Sequence, residues 1–195
     1  MPRFSENEKE QIRNRLLTEG ERLFTAHGIK KVTIDDLVEA VGIAKASFYT
    51  FYESKEFLYL DIVQGVQKKI FTELDSILVS NVNLPGRERV RQTFGAMFKM
   101  MLRYPILNKI DVTTTKLIAR KVSKERLLAF NEQNIDAAQS LHNHGINFSC
   151  DIKTASYSFQ ALYQSWMYLQ DKSMDVQTSV TDILLNGVIN QIVVD

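Results

Sequence analysis

Side chains that could hold a metal ion lie mainly near residue 145 of this 195-residue chain. His142 and His144 are separated by one residue, and Cys150 follows shortly after. Residues two apart on a helix do not face each other. Gly145 is typical of a helix C-terminus, where a charged histidine is favourable. A helix cap is therefore favoured over a metal site, and we predict neither a metal nor a cofactor.

Catalytic motifs are not recognisable in the sequence. Asp111 and the threonines at 113–115 form no nucleophile–base set, and there is no glycine-rich phosphate loop and no paired-carboxylate motif. We therefore do not expect an enzyme.

The composition favours a soluble, mostly helical protein. Apolar residues make up 45% and charged residues 24%, as in ordinary globular proteins. Eight Gly and three Pro residues supply few turns for a β-sandwich or barrel. A single cysteine, Cys150, makes no internal disulfide. Neither a signal peptide nor an apolar stretch long enough to span a membrane is recognisable, so we predict a cytoplasmic protein without a membrane partner.

Apolar residues at helical spacing and cap residues predict about nine helices. Ser5 with Glu8, and Thr33 with Asp36, have the form of capping boxes, and Gly28 and Gly42 are placed as helix stops. No strand pattern competes. The predicted helices are 5–28, 33–41, 45–51, 54–80, 87–104, 105–122, 123–144, 151–170 and 175–194.

The second and third predicted helices have the spacing of a helix-turn-helix. Residues 33–41 form the supporting helix, 42–44 the turn and 45–51 the helix that would enter a DNA groove. Gly42 suits the sharp turn because a Cβ can clash there.

An ordered set of residues across this region resembles the N-terminal domain of the TetR family of bacterial transcription regulators. Its spacing matches without a gap from Leu16 to Leu58, about a quarter of the chain. The set comprises Leu16-Leu17, Leu23-Phe24, Gly28, residues 32–49 and residues 51–58. Departures at Ala44, Ala46 and Phe51-Tyr52 leave the pattern intact but imply a DNA sequence preference of its own.

The resemblance implies which residues contact DNA. Helix N-termini and hydroxyl groups suit phosphates, and side chains of the recognition helix read base edges, where Ala46 can contact only a thymine methyl. The implied residues are Thr33, Lys45, Ala46, Ser47, Tyr49, Thr50 and Lys55. The alternative for the aromatic residues 48, 49 and 51 is a purely structural role in the core.

Charge alone does not indicate a DNA-binding protein. The net charge is +1, and residues 1–60 hold nine Lys or Arg against ten Asp or Glu. DNA affinity would therefore depend on the placement of a few lysines, and fewer phosphate contacts imply a shallower salt dependence.

The last two helices form the predicted homodimer surface, as the resemblance implies, because one reading head covers too little DNA for high specificity. Its apolar residues are Tyr157, Phe159, Ala161, Leu162, Trp166, Leu169, Val180, Ile183, Leu184, Val188, Ile189 and Ile192. Some of these residues could instead belong to an internal core.

A pocket for an unknown small-molecule effector is also implied by the resemblance. Methionine and aromatic residues of the later helices could line it, although they equally suit an ordinary core. The candidate residues are Phe98, Met101, Tyr104, Phe130, Tyr163 and Trp166.

The sequence thus predicts an all-α protein with a helix-turn-helix domain at 1–60 and a larger helical ligand-binding and dimerisation domain at 61–195. The expected function is a DNA-binding transcriptional regulator, a repressor released from a palindromic operator by its effector. The alternative is a helical ligand-binding or interaction protein that kept the fold but lost DNA binding.

Overall fold

A computed structural model describes residues 4–109, 112–125 and 137–195, and helices dominate these residues. This confirms the all-α class. The helices are α1 Glu6–Lys31, α2 Ile34–Val41, α3 Lys45–Phe48, α4 Lys55–Ser80, α5 Gly86–Arg103, α6 Val112–Lys121, α7 Ala137–Asn143, α8 Ile152–Tyr168 and α9 Met174–Ile192. Short 3-10 helices occupy Pro105–Lys109 and Leu169–Asp171. Phe130, a predicted ligand-binding residue, lies outside the described residues.

The chain divides into two compact units. The first contains the described residues up to 69 and those from 103 to 125, and the second contains residues 70–102 and 137–195. Residues 55–69 of α4 therefore belong to the first unit and residues 70–80 to the second. The functional division at residue 60 stays a prediction.

Helix ends with local cap signals lie close to where the sequence predicts them. Ser5 and Thr33 each form a complete capping box, and Asp151 caps α8 by accepting from the Thr154 N–H. Gly42 ends α2 in the left-handed conformation at φ 72°, ψ 41°, where a β-carbon would be strained. These ends depend on hydrogen bonds within a few residues, which is why short sequence patterns reveal them.

Several predicted helix boundaries were wrong, because the backbone there leaves the α-helical conformation or its hydrogen-bond pattern. Gly28 has φ 75° and ψ 155°, so it kinks α1 instead of capping it, and α1 continues to Lys31. The recognition helix ends at Phe48 instead of residue 51, because the N–H groups of Thr50 and Phe51 bond three residues back. Pro105 begins a 3-10 helix and not an α-helix.

The last predicted helix was also too long, because residues after Ile192 leave the helix to pair with another segment. Val193–Val194 form an antiparallel bridge with Asn147–Phe148, two residues on each side. The Arg87 side chain donates to the Val193 carbonyl at 3.0 Å. A two-residue bridge has no alternating pattern that a sequence could show.

The core of the first unit joins α1, α2, α3 and the start of α4. Leu16, Phe24 and Leu37 are fully buried, and the Phe24 ring meets the Tyr59 ring edge-on at 5.4 Å. A β-carbon at Gly20 would lie 2.9 Å from Ile62 Cδ1, so this glycine permits the close approach of α1 and α4. This compact core presents α2 and α3 as a rigid pair.

The core of the second unit is built on stacked aromatic rings from α5 and α8. Phe94 stacks on Phe159 at 4.8 Å, and Phe98 stacks on Trp166 at 5.3 Å. These contacts bind α8 to α5 and leave the opposite side of α8 available to solvent.

Candidate DNA-binding site

The turn between α2 and α3 is fixed by two backbone hydrogen bonds of the Schellman type. The Gly42 N–H donates to the Glu39 carbonyl at 3.2 Å, and the Ile43 N–H donates to the Val38 carbonyl at 3.0 Å. The pair α2–turn–α3 is therefore a helix-turn-helix with a defined angle between its helices.

Residues of α3 separate into a buried anchor and an exposed polar face. Phe48 is completely buried, whereas the adjacent Tyr49 is 54% exposed. Lys45, Ala46 and Thr50 are also exposed, and Ser47 is half-buried. The face predicted to meet DNA is thus accessible, and of the two adjacent aromatic residues only Phe48 belongs to the core.

Lys45 is not free in this structure. Its Nζ lies 2.9 Å from an Asp35 carboxylate oxygen, and both side chains are largely exposed. The hydrogen bond to Asp35, and then the attraction of its charge, raise the pKa of Lys45. Asp35 is a residue that the sequence analysis did not include in the site, and it competes with a phosphate for this lysine.

Thr33 and Lys55 also bond within the protein. The Thr33 hydroxyl and N–H both donate to Asp36 Oδ2 at 2.7 Å. The Thr33 N–H bond, and then the hydroxyl bond, lower the pKa of Asp36. Lys55 Nζ donates to the Val32 carbonyl at 2.5 Å, joining the start of α4 to the residue after α1. DNA contacts by either residue would have to be made in addition to these bonds or in their place.

A second cluster positions α4 against α1 and was missed from the sequence. An Arg13 guanidinium nitrogen lies 3.0 Å from the Asp61 carboxylate, and the guanidinium carbon lies 5.8 Å from the centre of the Tyr52 ring. Burial, and then the Asp61 charge, raise the pKa of Tyr52 to about 12, although Arg13 acts in the opposite direction. The members are 48 residues apart in sequence, so no short motif reveals them.

We expect Tyr52→Phe to make the protein less sensitive to alkali. The Tyr52 pKa in the folded chain lies above its ordinary value of 10, so its neutral form stabilises the fold below pH 10. That contribution is lost as the pH rises through about 12. Urea unfolding at a series of pH values should show a shallower loss of stability for Tyr52→Phe than for wild type. Tyr49→Phe, at an exposed tyrosine, is the matched control, and identical profiles for all three proteins would contradict the expectation.

None of the predicted ligand-binding residues that the structure describes lines the cavity found in the second unit. Phe98 and Trp166 stack on each other, and Met101, three residues after Phe98 on α5, is buried. Tyr163 is half-buried, and this burial raises its pKa. Tyr104 belongs to the first unit. A cavity in the second unit is instead lined by other residues, from the end of α4, α5 and α7, among them Phe71, Leu74 and Phe94. The assignment of the six residues stays a prediction.

The predicted dimer residues fall into two groups. Tyr157, Ala161, Ile183 and Leu184 are exposed, and Val180 and Val188 are half-buried. The remaining six are buried inside their own unit: Phe159, Leu162, Trp166, Leu169, Ile189 and Ile192. Tyr157 and Ala161 are four residues apart on α8. On α9 the exposed Ile183 and Leu184 lie three or four residues from the half-buried Val180, and Val188 is four residues after Leu184, so each helix has an apolar stripe that is at least partly exposed.

The histidines near residue 145 bond to different partners. His142 Nδ1 lies 3.3 Å from the Ile146 carbonyl, and His144 Nδ1 lies 2.8 Å from the Ser140 carbonyl. No three His, Cys, Asp or Glu side chains of the described chain are grouped as metal ligands. In the same residues, no helix is both long and apolar enough to cross a membrane.

Sequence comparison assigns the helix-turn-helix to a known group. Residues 16–62 match the sequence model described as bacterial regulatory proteins, tetR family. The chain is 24% identical over 133 residues to the uncharacterised HTH-type transcriptional regulator YdgC of Bacillus subtilis (strain 168), covering 67% of each chain. It is 30% identical over 71 residues to the HTH-type transcriptional repressor KstR2 of Rhodococcus jostii (strain RHA1), covering 36% of this chain and 35% of that protein.

Solved structures share the fold over nearly the whole chain. The TetR/AcrR-family regulator of Thermobifida fusca YX-ER1 superposes with a TM-score of 0.67 at 18% identity, covering 90% of this chain and 97% of that one. The ketosteroid transcriptional regulator KstR2 of Mycobacterium tuberculosis gives a TM-score of 0.62 at 18% identity, covering 94% and 95%. At these identities the likeness concerns the fold alone.

The exposed α3 on a rigid three-helix core defines a helix-turn-helix transcriptional regulator. Residues 16–62, which contain this helix-turn-helix, match the DNA-binding domain of the TetR family of bacterial regulators, whose members are transcription factors and not enzymes.

Proposed function

We propose that this protein is a repressor that binds a palindromic operator as a homodimer and leaves it when a small-molecule effector binds. The observation that supports DNA binding is the polar face at α3, where Lys45 and the following Tyr49 are exposed and Ser47 is half-buried beside the buried Phe48. A relative of known role, KstR2 of Rhodococcus jostii, is named a repressor, which supports the same direction of control here. A regulator of this kind acts where the DNA is, so we place it in the cytoplasm.

The apolar stripes of α8 and α9 support the homodimer. Large apolar side chains on adjacent helices are exposed, including Tyr157, Tyr168, Val176 and Ile183. Contiguous exposed apolar surface marks an interaction site. Two helices from each of two copies make a four-helix bundle, and a symmetric interface places two reading heads over two half-sites.

The ion pair between Lys45 and Asp35 gives a two-sided test of DNA reading by α3. Lys45→Ala should weaken binding to duplex DNA and reduce the steepness of its salt dependence by about one unit, the loss of one phosphate contact. Asp35→Asn should strengthen binding several-fold, because it removes a carboxylate that competes for Lys45 and repels the phosphates. Genomic fragments selected by the wild type supply the duplex, and fluorescence anisotropy over a range of salt concentrations supplies the measurement.

A second exposed lysine–aspartate pair provides the control. Lys172 Nζ lies 3.0 Å from an Asp171 carboxylate oxygen in the other unit. Lys172→Ala and Asp171→Asn should leave the DNA affinity unchanged. If Lys45→Ala and Asp35→Asn behave like this control pair, α3 does not contact DNA. If the wild type selects no fragment, the protein belongs to the alternative class that lost DNA binding.

A further inference from the structure

The cavity of the second unit is apolar along its length and has one charged group. It has a volume of about 60 Å³ and lies among the end of α4, α5 and α7. Phe71, Leu74, Phe94 and Leu141 are among its apolar lining residues. Among the described residues that line it, Asp75 alone carries a charge.

The His144 side chain contacts the Asp75 carboxylate. Its Nε2 lies 3.1 Å from Asp75 Oδ1, and its Nδ1 lies 2.8 Å from the Ser140 carbonyl oxygen. The carbonyl and carboxylate oxygens are both hydrogen-bond acceptors, so the ring of His144 is held between two acceptor groups. Ser140 also lines the cavity. A side chain of the protein itself therefore lies at the edge of the cavity and contacts two of its lining residues.

The position of His144 is set by the end of α7. Gly145 has φ 81°, its N–H donates to the His142 carbonyl at 2.9 Å, and the Ile146 N–H donates to the Leu141 carbonyl at 3.1 Å. These bonds form a Schellman end, which holds the backbone in place while the His144 side chain can turn away. The Asp75 side chain is 57% exposed, and a solvent-exposed ion pair contributes little to stability. A cationic ligand can therefore replace the His144 ring at Asp75 at small cost.

We propose that this cavity binds a small apolar amine, whose ammonium group replaces the His144 ring at Asp75 while its hydrocarbon part contacts the apolar lining residues. This inference rests on the proposed function, since it names the chemical class of the effector. An anionic ligand would place its charge beside Asp75. A neutral ligand would gain nothing from the only charged lining residue. An engineered cavity of roughly 150 Å³ holds benzene, so a space of about 60 Å³ suits a short alkyl group.

When a ligand takes the place of His144 at Asp75, the contact between the end of α7 and α4 is lost. The same helix continues without interruption to Lys55, in the unit that contains α2 and α3. A ligand that binds better to one arrangement of this helix than to another shifts the population between them. The amine would thereby alter DNA affinity through α4.

Three matched probes test the charge requirement: n-butylamine, n-butanol and sodium butyrate, titrated at constant ionic strength near neutral pH. The chain has three histidines, so its histidine-ring NMR spectrum is simple, and His144→Gln assigns the signal of residue 144. We expect n-butylamine to shift the His144 ring signals to saturation and to leave those of His27 unchanged. The butanol and butyrate titrations should not reproduce this shift. Equal saturable shifts with n-butanol, or no saturation with n-butylamine, would overturn the inference.

Two variants test the role of Asp75 in this binding. Asp75→Asn should weaken n-butylamine binding about two- to fivefold, the range expected for loss of a largely exposed ion pair, whereas Asp171→Asn, at another exposed aspartate, should not. His144→Gln should bind n-butylamine more tightly, because it removes the ring that competes for Asp75. The methyl signals of the lining residues report this binding. Asp75 is largely exposed, so the variant should fold, and circular dichroism confirms this. Unchanged affinity in Asp75→Asn would overturn the inference.

Parallel DNA-binding measurements separate this inference from the proposed function. DNA binding without saturable n-butylamine binding overturns the amine site and leaves the regulator intact. Selective n-butylamine binding without DNA binding supports the site and overturns the proposed function.

Discussion

Ile183→Glu should convert the protein to a monomer and lower its affinity for operator DNA about 100-fold or more, since linked binding to two half-sites gains factors of this order. Ile183 is 70% exposed and lies on α9 between the exposed Val176 and the half-buried Val180 on one side and the half-buried Val188 on the other. In a symmetric dimer the substitution places two carboxylates in one apolar interface, where unpaired charges are costly. Each monomer would then hold a single half-site through one α3.

The same substitution elsewhere is the control. Val82 is 62% exposed in the segment between α4 and α5, and Val82→Glu should leave both dimerisation and DNA affinity unchanged. Sedimentation velocity over a range of concentrations gives the oligomeric state, and anisotropy gives the DNA affinity of the same samples. A dimeric Ile183→Glu variant would show that the interface lies elsewhere. A monomeric variant with wild-type DNA affinity would show that dimerisation is not needed for binding.

Local signals made the helix-turn-helix predictable. The Thr33–Asp36 capping box and the left-handed Gly42 are both set by bonds within five residues of the chain. Their residue types follow directly from what such bonds need: a side-chain acceptor at one end and a missing β-carbon at the other. Residues 16–58 carry such local signals in the order that a helix-turn-helix needs, so this motif and its family resemblance could both be inferred from the sequence.

Features that depend on distant partners could not be predicted in this way. Val193–Val194 leave α9 because their backbone groups pair with Asn147–Phe148, more than forty residues away in sequence. The partners of Arg13 and His144 are likewise 48 and 69 residues distant. Nothing near these residues in sequence specifies which of many charged side chains the fold brings to them.

Within the candidate site, the sequence could indicate which residue types contact DNA, but not which other side chains of the protein compete with DNA for them. Lys45 was expected to be available to DNA, and the turn at Gly42 instead brings it to Asp35, ten residues earlier. Phe48 and Tyr49 could not be separated from the sequence either, since both are aromatic and adjacent. Burial separates them: one ring is enclosed by the core of the unit and the other is exposed to solvent.

Phe48→Ala should therefore unfold the reading head, whereas Tyr49→Ala should leave it folded and weaken DNA binding. Phe48 is fully buried, with its ring 5.7 Å from that of Tyr49 and 6.1 Å from that of Tyr52. Truncation of a buried Phe costs about 3–5 kcal/mol, a large part of the roughly 5–15 kcal/mol that stabilises a typical protein. Truncation of an exposed side chain changes stability by about 0.5 kcal/mol or less.

Urea unfolding followed by circular dichroism, together with DNA anisotropy, distinguishes the two variants. We expect Phe48→Ala to lower the midpoint of unfolding strongly and to lose DNA binding because α3 loses its anchor. Tyr49→Ala should keep the wild-type midpoint and bind DNA about tenfold more weakly, the order expected for a lost hydrogen bond to a charged group. Tyr49→Phe separates the hydroxyl from the ring: if the hydroxyl donates to a phosphate, this variant should share most of the loss. An equal fall in stability for Phe48→Ala and Tyr49→Ala would instead place both rings in the core and remove Tyr49 from the DNA-binding face.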